Sequence, residues 1–280
     1  AAFAGGYFCP KAAEFNFLIR YLVIWMLFLV LLKAQIAFKS FRWTHLKLVI
    51  ANVAIGLGSY AVLLAVGHRE LALAAFFTGI TPTATAAPVV MKMLDDNVEF
   101  TLTAFLATNL AIPILFPVLL PMVLPGPAEG TFVEALKSVG YVIGIPVAAA
   151  VVVRLLFRNA GKFSDFFGKW SFYIWIFAIF LIVANASKFV RDQKRIPMDI
   201  LLYIGLVSLV ICIINFVLGY YLGGKKYAVA ASQSLGQKNT TLTIYLALQN
   251  ADPLTALGPT FYVLWHNSYN SYSLFRHSLK

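Results

Sequence analysis

Long apolar runs separated by short polar stretches dominate this chain and predict an all-α integral membrane protein. A helix needs about 20 apolar residues to cross a bilayer, and each complete run approaches or exceeds that length. The runs cover residues 1–8, 17–36, 46–66, 71–94, 102–124, 139–157, 166–190, 200–222, 227–248 and 257–275. The first run is too short to span, so we expect its helix to be truncated.

The turn Pro125-Gly126-Pro127 divides the runs into two sets of five and predicts an internal repeat, residues 1–124 and 131–280. The fourth and ninth runs are interrupted by polar or proline-containing stretches, each in the same place within its half. An odd number of spans per half inverts the second copy, and paired broken helices are typical of secondary transporters. The prediction is about ten transmembrane helices in two inverted five-helix repeats. Gly and Pro are also common in ordinary membrane helices, which is the alternative explanation.

The first interruption contains Pro82 and Pro88, which should unwind the helix because proline lacks a backbone donor and disfavours helix at the preceding residue. Freed backbone groups at membrane depth must be buried in protein or face water. The hydroxyls of Thr81, Thr83 and Thr85 alternate through this gap and could line such a cavity. A kinked helix whose threonines bond their own carbonyls would explain the same residues.

The second interruption places a lysine, Lys238, within an apolar run. A charge at that depth is costly, so it indicates a functional site. Every acidic residue falls in or beside a predicted loop, so no carboxylate is an obvious partner. Lys238 could instead extend to the interface or bond backbone carbonyls in the gap. Its polar neighbours in this stretch are Gln233, Ser234, Gly236, Gln237, Asn239, Thr240 and Thr241.

Two further polar groups lie inside predicted spans: Thr108 with Asn109, and His266 with Asn267. Such residues often bond one helix to another rather than a ligand. His266 could alternatively carry protons. The complete set of candidate substrate- or ion-binding residues is Thr81, Thr83, Thr85, Thr108, Asn109, Gln233, Ser234, Gln237, Lys238, Asn239, His266 and Asn267.

The composition, 61% hydrophobic and 12% charged, agrees with a membrane protein. The net charge of +11 sits mostly in loops, where Lys and Arg set topology, so it does not indicate a nucleic-acid partner. Loop charges favour both termini in the cytoplasm of a bacterial inner membrane, although the basic run 188–195 falls on the other side. We find no enzyme motif and expect no catalytic residue, metal site or cofactor.

Both interruptions resemble the crossing-helix motifs of the bile acid:sodium symporter family. Residues 81–88 retain Pro82, Thr85 and Ala86 of the first motif, and residues 234–242 retain Gly236, Asn239 and Leu242 of the second. Pro113, Pro117 and Trp265-His266-Asn267 also resemble family positions. The likeness extends over essentially the whole chain.

The resemblance implies a ten-helix fold with two domains and transport of organic anions by alternating access. The core would comprise residues 46–124 and 198–280, and the panel residues 1–40 and 135–190. Substrate would contact the two crossing helices. These implications are expectations that rest on the resemblance alone.

Most sodium-site residues of the family are replaced here, which makes the chain a divergent member. The sodium-binding Ser–Asn pair aligns with Ala87 and Pro88, the glutamate with Ser234, and a glutamine with Lys238. The hydroxyl-bearing positions of the fifth segment align with Phe105 and Asn109, and the glutamine of the third segment aligns with Val53. Sodium binding requires several oxygens, and this set lacks most of them.

We therefore expect a sodium-independent secondary transporter of a small organic anion, in which Lys238 replaces the cation. Proton coupling through that amine is left open. One alternative is a sodium symporter whose ion site has moved to Asn109, Gln233, Gln237 and Asn239. Another is a membrane receptor that binds ligand without transporting it. The expected partners are the organic anion and the lipid bilayer.

Overall fold

A computed structural model describes residues 2–33, 40–157, 160–192 and 199–279. Residues 34–36 of the second predicted run, and Lys194 and Arg195 of the basic run, lie outside this set. The described helices are α1 (Ala2–Phe8), α2 (Leu18–Lys33), α3 (Trp43–Ala65), α4 (Arg69–Gly79), α5 (Ala87–Met93), α6 (Val98–Leu119), α7 (Ala128–Val139), α8 (Ile145–Leu156), α9 (Ala160–Asp192), α10 (Asp199–Gly236), α11 (Thr240–Asn250) and α12 (Pro253–Ser278).

Within the described residues, four helical stretches are long and apolar enough to cross a membrane: Trp43–Ala65, Val98–Met122, Ala128–Leu156 and Asp199–Gly236. Two shorter apolar helices cover Leu18–Leu29 and Ile176–Phe189. This pattern supports a helical, multi-pass membrane protein. The arrangement as ten helices in two inverted repeats stays a prediction.

One predicted boundary is wrong. The sixth run was expected to begin at Val139, but the helix already begins at Ala128 and continues through a π-helical segment, Gly140–Gly144, to Leu156. Hydropathy misses the first part because residues such as Glu129 are polar, although helix formation does not require apolar residues.

The eighth and ninth runs were predicted to be separate, and the break between them lies inside α10, which covers the eighth run and the first part of the ninth. At this break Gly224 has φ 60° and Tyr227 is also outside helical geometry, so two helices meet there at a sharp kink. Only glycine adopts such a positive φ at little cost, so Gly224 lets the chain reverse its course within a very short stretch.

The chain forms two compact units. The first comprises Ala1–Gln35, Phe116–Ile196 and Ile244–Ala256. Its described core includes Phe28, Leu29 and Leu32 of α2, which pack against Ala150 of α8. In a bilayer such contacts stabilise the unit through van der Waals packing rather than through removal of apolar surface from water.

The second unit comprises Ile36–Leu115, Pro197–Thr243 and Leu257–Lys280, and it contains every candidate site residue. One of its apolar clusters joins Leu48 of α3, Phe100 of α6 and Leu235 of α10. The rings of Phe100 and Tyr227 stack with centroids 4.7 Å apart. This packing holds α3, α6 and α10 together around the interrupted helices.

Helices α3 and α4 touch through glycine. A Cβ on Gly79 would lie 2.8 Å from both the backbone N and the Cα of Gly56, closer than real side chains approach. The last turn of α4 can therefore meet α3 only because both positions lack a side chain. This contact fixes the position of the Gly79 carbonyl.

We expect Gly79→Ala to lower the free energy of unfolding by about 1–3 kcal/mol, because the new methyl group must displace the α3 backbone. Gly58→Ala on the same helix pair is the matched control, since a Cβ there meets nothing within 4 Å. Unfolding in detergent, followed by circular dichroism, measures both. Equal stability of the two variants would contradict the close contact.

Candidate functional site

The two unwound segments pair with each other. Helix α4 ends at Gly79 and α5 begins at Ala87, while α10 ends at Gly236 and α11 begins at Thr240. Between these ends, Thr83 and Lys238 form an antiparallel bridge. The chain thus leaves helical structure where the prolines and the polar stretch predict.

Backbone hydrogen bonds close this crossing. The Ala84 N–H donates to the Gln237 carbonyl at 2.9 Å, and the Asn239 N–H donates to the Pro82 carbonyl at 2.7 Å. In a bilayer, unpaired backbone groups cost several kcal/mol each. The two segments therefore satisfy each other's backbone, which explains why both can unwind at membrane depth.

Side chains of α6 and of the crossing itself reinforce the bridge. The Thr83 hydroxyl donates to the Ser234 carbonyl at 2.6 Å. The Thr83 N–H donates to Thr108 Oγ1 at 3.1 Å, and Asn109 Nδ2 donates to the Thr83 carbonyl at 2.8 Å. Asn239 Nδ2 in turn donates to Asn109 Oδ1 at 3.3 Å. The structure thus brings five of the predicted residues together.

Lys238 lies at the centre of the crossing and is only 2% exposed. Its Nζ donates to Asn52 Oδ1 on α3 and to the Gly79 carbonyl, the latter at 3.2 Å. The Gly79 carbonyl is at the carboxyl end of α4, where the helix dipole favours a positive charge. Among the described residues, no carboxylate bonds the ammonium. The chain therefore stabilises a buried cation with neutral oxygens.

Three other predicted residues lie beside Lys238. The Lys238 N–H points to His266 Nδ1 on α12, at 3.5 Å. Gln237 Nε2 donates to Gln233 Oε1 at 2.6 Å, so these two amides bond each other. All three side chains are buried. They form the inner wall of the crossing on the α10 and α12 side.

The remaining predicted residues do not join the crossing through their side chains. The Thr81 hydroxyl donates to the Phe77 carbonyl of its own helix at 2.7 Å, as the kinked-helix alternative expects. Thr85 is exposed. Asn267 is also exposed, and its Nδ2 donates to the Val263 carbonyl of its own helix at 2.7 Å.

Sequence reasoning missed two residues of the site, Asn52 and Tyr262. Asn52 is fully buried and supplies the side-chain oxygen that binds Lys238. An asparagine inside the apolar run 46–66 was the available signal, whereas the resemblance directed attention to its neighbour Val53. The Tyr262 hydroxyl donates to the Gly236 carbonyl at 2.7 Å and so caps the last turn of α10.

Two of the amide oxygens near the crossing already have protein donors. Asn109 Oδ1 accepts from Asn239, and Gln233 Oε1 accepts from Gln237. Ala87 and Pro88 bring no side-chain oxygen to the start of α5. In the described part of the chain, no group of three or more His, Cys, Asp or Glu side chains could hold a metal ion. A hard cation such as sodium requires several free oxygens, so the two bonded amide oxygens could serve as ligands only after losing their donors.

The model of the Sodium Bile acid symporter family matches residues 22–193, more than half of the 280 residues. The matched region includes the first unwound segment, with Pro82 and Thr83, and ends before the second. A search of curated proteins found no match.

We expect Thr83→Val to destabilise the protein by about 1 kcal/mol, because it removes the hydroxyl that ties one unwound segment to the other. Thr81→Val is the matched control: its hydroxyl is equally buried but bonds only its own helix, where such a bond adds little stability. The free energies of unfolding in detergent measure the difference. If the two variants lost equal stability, the Thr83–Ser234 bond would not hold the crossing together.

Proposed function

This chain belongs to the sodium bile acid symporter family, and on that premise we propose that it transports a small organic anion without sodium. The family's members are transporters of the bile acid and organic anion type rather than enzymes. In this proposal the Lys238 ammonium takes the place of the coupling cation at the crossing.

The observation that carries this proposal is the bonding of Lys238. Its ammonium donates to Asn52 on α3 and to the end of α4, and the backbones of its neighbours Gln237 and Asn239 bond the first unwound segment. A bound metal ion would connect the same elements by drawing their oxygens together. A covalently attached cation does this permanently, so no free sodium needs to enter.

The charge of Lys238 also supports an anionic substrate. Among the described residues, no carboxylate neutralises it, so a substrate carboxylate could supply the missing negative charge. An unneutralised charge in a low-dielectric site attracts an opposite charge strongly. We propose that the substrate contacts the crossing, where Thr108, Asn109 and His266 also place polar side-chain groups.

The division into two compact units supports separate roles for a substrate-binding core and a panel. All candidate site residues belong to the second unit. We propose that this unit contains most of the predicted core, which carries the substrate, and that the first unit contains the predicted panel. We also propose that the protein lies in a bacterial inner membrane with both termini in the cytoplasm, as the loop charges favour.

Proton coupling is a separate part of the proposal. If Lys238 releases its proton in one half of the cycle, each anion crosses with a proton. If Lys238 stays charged throughout, the anion crosses alone. The two versions predict different responses to a pH gradient, while both predict no response to sodium.

A sodium symporter with a moved ion site is the second candidate. The amides that would form this site, Asn109, Gln233, Gln237 and Asn239, do lie beside the crossing. Two hydrogen bonds between them occupy two of their oxygens, which must be broken before sodium could bind. For this reason the sodium-independent version is the better supported of the two.

Uptake into proteoliposomes tests the proposal. The purified protein is reconstituted, and uptake of radiolabelled taurocholate and of several small carboxylates is measured with sodium, a pH gradient or neither imposed. We expect uptake that is unchanged when sodium replaces choline outside. Uptake that requires sodium would select the moved-site symporter, and binding without any uptake would select the receptor.

Lys238→Met in the same assay should reduce uptake about tenfold or more. The change leaves Asn52 Oδ1 and the Gly79 carbonyl without their donor, and hydrogen bonds to a charged group are worth about 1.5–3 kcal/mol. Lys47→Met on the exposed face of α3 is the control and should transport normally. Equal uptake by both variants would remove Lys238 from the mechanism.

A further inference from the structure

A long cleft lies in the second unit between α10 and α12. It consists of two adjoining cavities of about 450 and 530 Å³ that share Tyr220, Ser232 and Tyr269 as wall residues. Both volumes fall in the range of about 300–1,000 Å³ typical of ligand sites. The proposed transport mechanism does not use this cleft.

One end of the cleft is apolar and aromatic. Cys212, Phe216, Val217 and Trp265 are among its lining residues. The Trp265 Nε1–H donates to the Gly205 carbonyl at 3.0 Å, which holds the indole in place as part of the wall. This end can accept a hydrocarbon chain but offers little to a polar group.

The other end carries opposite charges that are not paired with each other. Asp96 and Arg276 both line it, and neither forms an ion pair with any other described residue. His277 is also present, but it contacts Asp95 at 3.2 Å. Tyr272 and Ser273 of α12 also line this end. This end therefore offers one anionic and one cationic partner to a ligand.

The length and polarity of the cleft match one leaflet of a bilayer. Trp265 and Arg276 are eleven residues apart on α12, a rise of about 17 Å at 1.5 Å per residue. Half of a hydrocarbon core is about 15 Å thick. Tyrosines line the cleft near its charged end, as expected at a membrane–water interface.

We propose that this cleft binds one phospholipid with a phosphoethanolamine head group. The phosphate lies against the Arg276 guanidinium, the primary ammonium lies against the Asp96 carboxylate, and one acyl chain follows the apolar end towards Trp265. Arginine suits a phosphate because its planar donors match the phosphate oxygens.

The pair of charges selects this head group over two common ones. A phosphoglycerol head group has no ammonium, so it leaves Asp96 without a cation beside the phosphate. A phosphocholine head group carries a quaternary nitrogen that cannot donate a hydrogen bond to the carboxylate. Only a zwitterion with N–H donors satisfies both ends.

The bound lipid would lie close to the crossing. Gln233 lines the charged cavity and accepts a hydrogen bond from Gln237, the residue before Lys238. A lipid bound in the cleft therefore lies one hydrogen bond, Gln237 to Gln233, away from the residue that precedes Lys238. The binding itself does not depend on the transport mechanism.

Quenching of Trp265 by brominated acyl chains tests the proposal. The full chain is placed in phosphatidylcholine bilayers, and brominated phosphatidylethanolamine, phosphatidylglycerol or phosphatidylcholine is added in increasing amounts. The difference in emission between the wild type and Trp265→Phe isolates Trp265. We expect the ethanolamine lipid to quench at a mole fraction about tenfold lower than the others, since one charge-assisted hydrogen bond is worth that factor or more.

Asp96→Asn and Arg276→Gln should each abolish this preference, while Glu70→Gln and Arg69→Gln, exposed charges at the start of α4, should preserve it. Thermal unfolding checks that each variant folds. If one variant does not fold, the quenching of the wild-type protein by the three lipids still tests the preference for ethanolamine. Equal quenching by the three lipids, a preference for phosphatidylglycerol, or no quenching of Trp265 would each overturn the proposal.

Discussion

The bonding of one buried ammonium group is the interaction on which the site depends. A lysine at the centre of a membrane helix costs about 2.5–3.5 kcal/mol or more, so it persists only where it is solvated by the protein. Here Asn52 and the carboxyl end of α4 supply that solvation. The close contact of Gly56 and Gly79 brings α3 and α4 together and thereby fixes both oxygens at once. Removal of any of these parts leaves a buried charge or a buried oxygen without a partner.

The crossing around Lys238 can exist because two unwound segments share their backbone hydrogen bonds. Pro82 has no backbone N–H to donate, and its carbonyl accepts a hydrogen bond from the Asn239 N–H in the other segment. Thr108 and Asn109 of α6 bond the backbone of Thr83, so a third element stabilises the bridge. The polar residues of the site therefore have a structural role as well as the proposed role in binding. Mutations here must be compared with matched controls, because loss of stability and loss of transport can arise from the same bond.

The position of the crossing could be predicted from sequence because its causes are local. Two prolines and a polar stretch interrupt apolar runs, and these features act within a few residues. The family was also predicted correctly. The Lys238–Asn52 contact could not be predicted in this way, since its partners lie 186 residues apart and any buried oxygen would have satisfied the lysine. The break between the eighth and ninth runs was predicted, but its geometry as a sharp kink at Gly224 was not, because a loop and a glycine kink have the same hydropathy. The inverted repeat and the panel and core domains stay predictions.

Equilibrium binding of radioactive ²²Na⁺ to the purified protein tests the central claim most directly, because it needs no knowledge of the substrate. If the Lys238 ammonium occupies the place of the cation, the wild-type protein will show no saturable sodium binding above that of unrelated membrane proteins. Saturable binding with about one ion per chain, lost when Asn109 is replaced by leucine, would contradict the account.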